Sequence, residues 1–182
     1  MHSSGNLGKT RGENVNDVQL VESWAQLSPV ILPFLVRCGA AVMCGGVIGF
    51  ERELKGKPAG FRTNILICLG SAMYMCVGLL LVSLGGERGI DPTRIAAQVV
   101  TGIGFIGAGC ILQAGGRVTG LTSAATIWVV AGIGLVAGAG FPMLAFLSSW
   151  IVVVTLAVLG KVERRFLDPG RSDDRSHGAA GD

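Results

Sequence analysis

Between Arg117 and Lys161 the chain runs for 43 residues, 118–160, without one charged side chain. As a single helix that stretch would be roughly 65 Å long, about twice the hydrocarbon thickness of a bilayer. It has to fold back on itself. The one strong breaker near its middle is Gly138-Ala139-Gly140-Phe141-Pro142, where glycine permits a helix C-cap and proline suits the first turn of the next helix. Cutting the rest of the chain at its charges leaves three more apolar runs of one span each: 30–50, interrupted only by Arg37, then 63–86 and 95–116. The expected fold is all-α, a polytopic bundle of five transmembrane helices over residues 30–160. Residues 1–29 read as a polar N-terminal tail and 161–182 as a polar, disordered cytoplasmic tail.

Composition agrees with a membrane origin. Half of the residues are apolar and 15% charged, against about a quarter charged in soluble domains. Twenty of the 29 glycines lie inside the apolar runs, which is how membrane helices use glycine for close packing. The net charge of +3 is small and the basic residues sit at the borders of apolar runs, so there is no electrostatic footprint for nucleic acid. They do report topology. With the N-terminus outside, the inner segments hold Arg52, Lys55, Lys57, Arg62, Arg117, Lys161, Arg164, Arg165, Arg171 and Arg175, and the outer ones hold Lys9, Arg11, Arg88 and Arg94. Ten against four favours N-out, C-in. No secretory signal peptide is expected in residues 1–29, which contain five charges and no apolar core, so the first span inserts uncleaved. Val18, Val21, Trp24 and Leu27 recur at helical spacing, as in a short interfacial helix, and an ordinary disordered tail fits as well.

Several motifs reduce to packing. Gly102-Ile103-Gly104-Phe105-Ile106-Gly107 is formally GxGxxG, but the dinucleotide fingerprint needs a strand before it and an acid about 20 residues later, and residues 121–140 hold none. Close helix approach explains Gly102, Gly104, Gly107 and Gly109 better. Gly45xxxGly49, Gly104xxxAla108 and Gly134xxxGly138 are further small-xxx-small pairs and together predict a tight bundle and a homo-oligomer, a dimer being the simplest form. The five cysteines fall inside spans without CxxC spacing, both histidines are in polar tails, and no HExxH, GxSxG or Walker motif occurs. These patterns predict no metal, no cofactor and no enzyme activity.

Polar groups at lipid depth are the functional candidates, because each is costly there and persists with a partner, water or a role. Arg37 either snorkels to the outer headgroups or pairs with Asp91 or Glu87. At the cytosolic boundary Glu51, Arg52, Arg62, Thr63 and Asn64 form an expected cluster: Glu51 can pair Arg62, Arg52 or Arg117, and Thr63 or Asn64 can cap the second helix. The cluster is a structural clamp or a ligand site. Arg94, Gln98 and Thr101 share one helical face and are expected to point into the bundle. The glycine-rich segment 115–126, with Arg117, Gly120, Thr122, Ser123 and Thr126, is a candidate re-entrant segment or a plain tight turn.

Four of these segments carry a family resemblance. Ile48-Gly49-Phe50-Glu51-Arg52-Glu53, then Lys57-Pro58-Ala59-Gly60-Phe61-Arg62-Thr63-Asn64, then the run from Arg94-Ile95-Ala96-Ala97-Gln98 to Gly107-Ala108-Gly109, then Gly120-Leu121-Thr122-Ser123-Ala124-Ala125-Thr126-Ile127-Trp128 together resemble the MgtC/SapB family of bacterial inner-membrane proteins over residues 30–160. The resemblance implies a five-helix domain, a role in growth when magnesium is scarce and, in pathogens, in survival inside host cells. It also implies a regulatory action on other inner-membrane complexes, the ATP synthase among them, with transport of an ion or small solute as the rival reading. Ser123 stands where the family more often has Thr. Residues 161–182 stand where longer members carry an ACT-type cytosolic domain, so sensing through that domain is not expected.

Overall fold

The computed structural model describes residues 24–84, 91–114 and 117–166. Its elements are α1 (Trp24–Leu54), α2 (Phe61–Leu84), α3 (Pro92–Gly109), the short strands β1 (Leu112–Ala114) and β2 (Arg117–Thr119), α4 (Leu121–Gly138) and α5 (Pro142–Phe166). The chain divides into two units, Met1–Val36 and Arg37–Asp182. In the first, the described residues are the opening turns of α1, which contain Pro29 and Pro33. A membrane helix tolerates such prolines because neighbours and local adjustments re-satisfy the freed carbonyls. The described part of α1 begins at Trp24, ahead of the apolar run that begins at Val30. Val18 and Val21 of the expected interfacial helix, and most of the N-terminal tail, lie outside the described residues.

Four helices are long and apolar enough to cross a membrane by length and composition: Pro29–Leu54, Phe61–Ser83, Leu121–Gly138 and Pro142–Val162. The chain is an all-α polytopic membrane protein. α4 ends and α5 begins at the expected breaker, with Gly140 at φ +97° making the corner. α3 differs from expectation. It has 18 residues, carries Arg94 and Gln98, and stops at Gly109, where the amides of Cys110 and Ile111 bond back to Gly107 and Ala108. The remainder of the charge-free run is an antiparallel ribbon pairing Leu112 with Thr119 and Ala114 with Arg117. Absence of charge sets where a segment can lie, not which backbone it adopts.

The ribbon also revises the re-entrant expectation for 115–126. Arg117 is on β2, Gly120 holds φ +90° just before α4, and Thr122, Ser123 and Thr126 are on the first two turns of α4. A Cβ on Gly120 would run into the Cys110 carbonyl, so both the backbone angle and the space demand glycine there.

Within the second unit α4 packs against α2, α3 and α5. The core is made of small residues: Ala41, Cys44 and Ile48 of α1 meet Cys68 and Ala72 of α2, Val130, Ile133 and Ala137 of α4, and Ala145 of α5. α2 is approached by glycines from two sides. A Cβ on Gly45 would lie 2.7 Å from the Asn64 carbonyl oxygen, one on Gly49 would lie 2.8 Å from Phe61 Cα, and those on Gly134 and Gly138 would collide with the carbonyls of Cys68 and Ala72. α3 is again the exception. A Cβ added at Gly102, Gly104 or Gly109 would meet nothing within 4 Å, and at Gly107 the nearest atom, Ala124 O, would be at 3.6 Å. The inward face of α3 is Ile95, Val99, Ile103 and Gly107, spaced four apart, with Ile103 packed on Ile127 and Ala131, so the other glycines fall on its outer sides. Among the described residues they mediate no packing.

Candidate functional site

The last turn of α1 distributes its charges in different directions, because successive residues on a helix point about 100° apart. Glu51 forms an ion pair with Lys55, one turn on. The contact is close but off the hydrogen-bond line, and among the described residues both buried carboxylate oxygens lack a hydrogen-bond partner. Lys55 Nζ in turn donates to the Leu156 carbonyl of α5 at 3.4 Å. Arg52 points the other way. Only 3% exposed, it donates from Nη2 to Ser123 Oγ of α4 at 3.0 Å, and its Nε has no partner among the described residues. Glu53 turns to α2, where Oε2 accepts from the Phe61 backbone N–H at 2.8 Å and satisfies one of the free donors that begin the helix.

Asn64, fully buried, closes the loop between α1 and α2. Its Nδ2 donates to the carbonyls of Ala59 and Gly60, and its Oδ1 is buried without a partner. Ala59 holds φ +59°, a conformation that costs a non-glycine residue on the order of 1–3 kcal/mol unless its surroundings impose it. The two hydrogen bonds from Asn64 do so. Gly49, whose added Cβ would lie 3.1 Å from that of Asn64, is small because this closure is tight.

The expected five-residue cluster therefore splits. Glu51, Arg52 and Asn64 are in the interior, joined by Lys55 and Ser123. Arg62 and Thr63 are exposed and, with Phe50, Glu53, Gly60 and Phe61, line a surface groove of about 630 Å³. Glu51 does not pair Arg62, and the cap of α2 comes from Glu53 rather than Thr63 or Asn64. The Glu51–Lys55 pair was available to sequence reasoning as an acid four residues before a base. Ser123 carried no such signal, since it lies 71 residues from Arg52.

At the other end, Arg37 Nη1 donates to the Gly138 carbonyl at 3.1 Å. It caps the C-terminus of α4, where free carbonyls and the helix dipole both favour a cation. It neither snorkels nor pairs with Asp91; Glu87 lies outside the described residues. Asp91 is instead the N-cap of α3, accepting from the Thr93 hydroxyl at 2.7 Å and the Thr93 amide at 2.9 Å. Those bonds, with a smaller contribution from the Arg94 charge, hold its carboxyl below the usual range. Arg94, Gln98 and Thr101 are all exposed, with Thr101 Oγ1 donating to the Ala97 carbonyl at 2.9 Å. They face away from the bundle, because the inward stripe starts one residue later, at Ile95. Among the described residues no three His, Cys, Asp or Glu side chains gather as a metal site.

This arrangement sits on segments shared with known proteins. YhiD of Escherichia coli (strain K12), whose name proposes a magnesium transporter, is 45% identical over 138 residues, covering 74% of this chain and 64% of YhiD. Protein SapB of Bacillus subtilis (strain 168) is 40% identical over 150 residues, 78% of this chain and 62% of SapB. Protein MgtC of Brucella abortus (strain 2308) is 41% identical over 119 residues, 65% of this chain and 48% of MgtC. The matched stretch thus spans less than two thirds of each relative's length. No solved structure matches the chain. The MgtC family profile matches residues 39–165, from just after Arg37 to the end of α5, and the chain belongs to the MgtC family.

Proposed function

We propose that this chain is a bacterial inner-membrane protein, N-terminus outside and C-terminus cytoplasmic, that supports adaptation to scarce magnesium, and in pathogens survival in host cells, by contact with partner membrane proteins rather than by conducting Mg²⁺ or by catalysis. The observation that carries the reading is how the charges at the end of α1 are used. Glu51 is neutralised by Lys55, Arg52 is held by Ser123, and Glu53 caps α2. Mg²⁺ wants near-octahedral oxygen and keeps its waters, and a carboxylate flanked by Lys55 and Arg52 is a poor place to receive it. Gly45, Gly49, Gly134 and Gly138 bring the backbones of α1 and α4 against α2, which favours a rigid packed core over a hydrated path.

The rival, a transporter for an ion or small solute, draws on the name of YhiD and on the buried, unpartnered Arg52 Nε and Asn64 Oδ1. The family resemblance offers the ATP synthase as the partner to test first. Inverted membrane vesicles from cells expressing the chain should show reduced ATP-driven proton pumping and the chain should co-purify with the synthase. Full pumping with no co-purification, in cells whose growth at low magnesium the chain still rescues, would reject that partner.

A further inference from the structure

The outward faces of three helices are what lipid requires: Met43 and Phe50 on α1, Leu66 and Tyr74 on α2, and Met143 and Trp150 on α5 are large and exposed. α3 presents something else. Its outward side carries the large Val100, Phe105 and Ile106, and beside them a stripe of Arg94, Ala97, Gln98, Thr101, Gly104 and Ala108, all exposed.

The depth of Gln98 makes this face informative. α3 runs back along α2, with Ile95 against Gly78 and Ile103 packed in the same cluster as Ile67. Gln98 lies one turn further along than Ile95, roughly 13 Å from the Leu84 end of α2 and thus near the middle of that span. A carboxamide turned outward at that depth meets hydrocarbon, in which it has no hydrogen-bond partner. Ala97, Thr101 and Gly102 beside it are small enough to let another helix come close, with Phe105 one turn beyond them.

We infer that the outward face of α3 is a self-association surface and that its occupant is α3 of a second copy of this chain. Copies inserted with the same topology are related by a two-fold axis along the membrane normal, so the two α3 helices run parallel and like positions meet near the axis. A carboxamide is both donor and acceptor, so Gln98 and the partner's Gln98 satisfy each other without any further group. One turn outward the surface carries Asp91 and Arg94, opposite charges three residues apart, which the same axis sets against the partner's Arg94 and the partner's Asp91. The pattern is self-complementary in both hydrogen bonding and charge.

The test is disulfide trapping in native membranes with the full chain. Under mild copper-phenanthroline oxidation, Gln98→Cys and Thr101→Cys should each give a product of twice the chain's mass, containing both of two differently tagged copies. Leu147→Cys, on the exposed apolar face of α5, and the parent with its native cysteines should stay at the monomer mass. Gln98→Leu, assayed by exchange of tagged copies in detergent, should weaken association by about tenfold while the protein remains in the membrane. Trapping at Leu147 as efficient as at Gln98, no product at positions 98 and 101, or a product whose mass identifies a different protein would each overturn the inference.

Discussion

Replacing Ser123 with Ala removes one hydroxyl, and the structure says what that leaves behind. Arg52 is 3% exposed and its one side-chain hydrogen bond among the described residues is to Ser123 Oγ; its Nε is already without a partner there. A hydrogen bond to a charged group contributes about 1.5–3 kcal/mol, and deleting one partner leaves the other with its full desolvation cost. Interhelical polar contacts in membrane proteins average nearer about 0.6 kcal/mol, because an unfolded chain in lipid finds substitutes. Here the guanidinium is enclosed by protein, so the higher figure applies, and Ser123→Ala should destabilise by about 2 kcal/mol. Arg52→Met should cost much less, since removing a buried charge with its desolvation is often close to neutral. In the Arg52→Met background Ser123→Ala should then cost almost nothing, for a coupling energy of about 2 kcal/mol. Reversible unfolding in mixed detergent micelles, followed by tryptophan fluorescence, gives all four corners of that cycle. A Ser123→Ala effect under about 0.5 kcal/mol, or one that persists without Arg52, would refute the reasoning.

The glycines separate by what surrounds them. Gly134→Ala drives a methyl into the Cys68 carbonyl and should cost about 1–3 kcal/mol in the same unfolding assay, whereas Gly70→Ala, with nothing within 4 Å, should be neutral or stabilising by up to about 1 kcal/mol. Asp91 has its carboxyl held below the ordinary range when α3 is formed, so its cap is fully present at neutral pH and is lost as pH falls through that lowered value. The Thr93 amide signal should report this loss in the parent and lose its pH dependence in Asp91→Asn; a cap lost on approach to neutral pH would contradict the assignment. A reporter fused after Gly160 should behave as cytoplasmic and one inserted at residues 88–90 as external, and reversal at both sites would overturn the orientation.

Element positions were legible where chemistry is one-dimensional. Charges bounded α2, and the Gly-Ala-Gly-Phe-Pro corner separated α4 from α5, because span length and helix breaking depend on local sequence. The end of α3 was not legible, since a charge-free run is compatible with helix or ribbon alike, and the choice rests on Gly120 fitting against Cys110. Spacing alone puts the phase of α3 one residue off: Arg94, Gln98 and Thr101 share a face, but only packing against Gly78 and Ile127 shows that the buried face is that of Ile95, Val99 and Ile103. At the candidate site the sequence named Glu51, Arg52 and Asn64 but not all of their partners. Helical spacing contained the Glu51–Lys55 pair, while the joining of Arg52 to Ser123 and of Glu53 to Phe61 depends on how α1, α2 and α4 are arranged in space.

Action by contact, as opposed to Mg²⁺ conduction, is put to the test by measuring Mg²⁺ entry into proteoliposomes containing the purified chain, read with an entrapped Mg²⁺ indicator across an imposed gradient. The same preparation is judged by whether its gene restores growth at low magnesium. Contact without conduction predicts restored growth with an uptake rate equal to that of protein-free liposomes. Uptake above that baseline, abolished by Glu51→Gln with the protein still folded in the membrane, would contradict it.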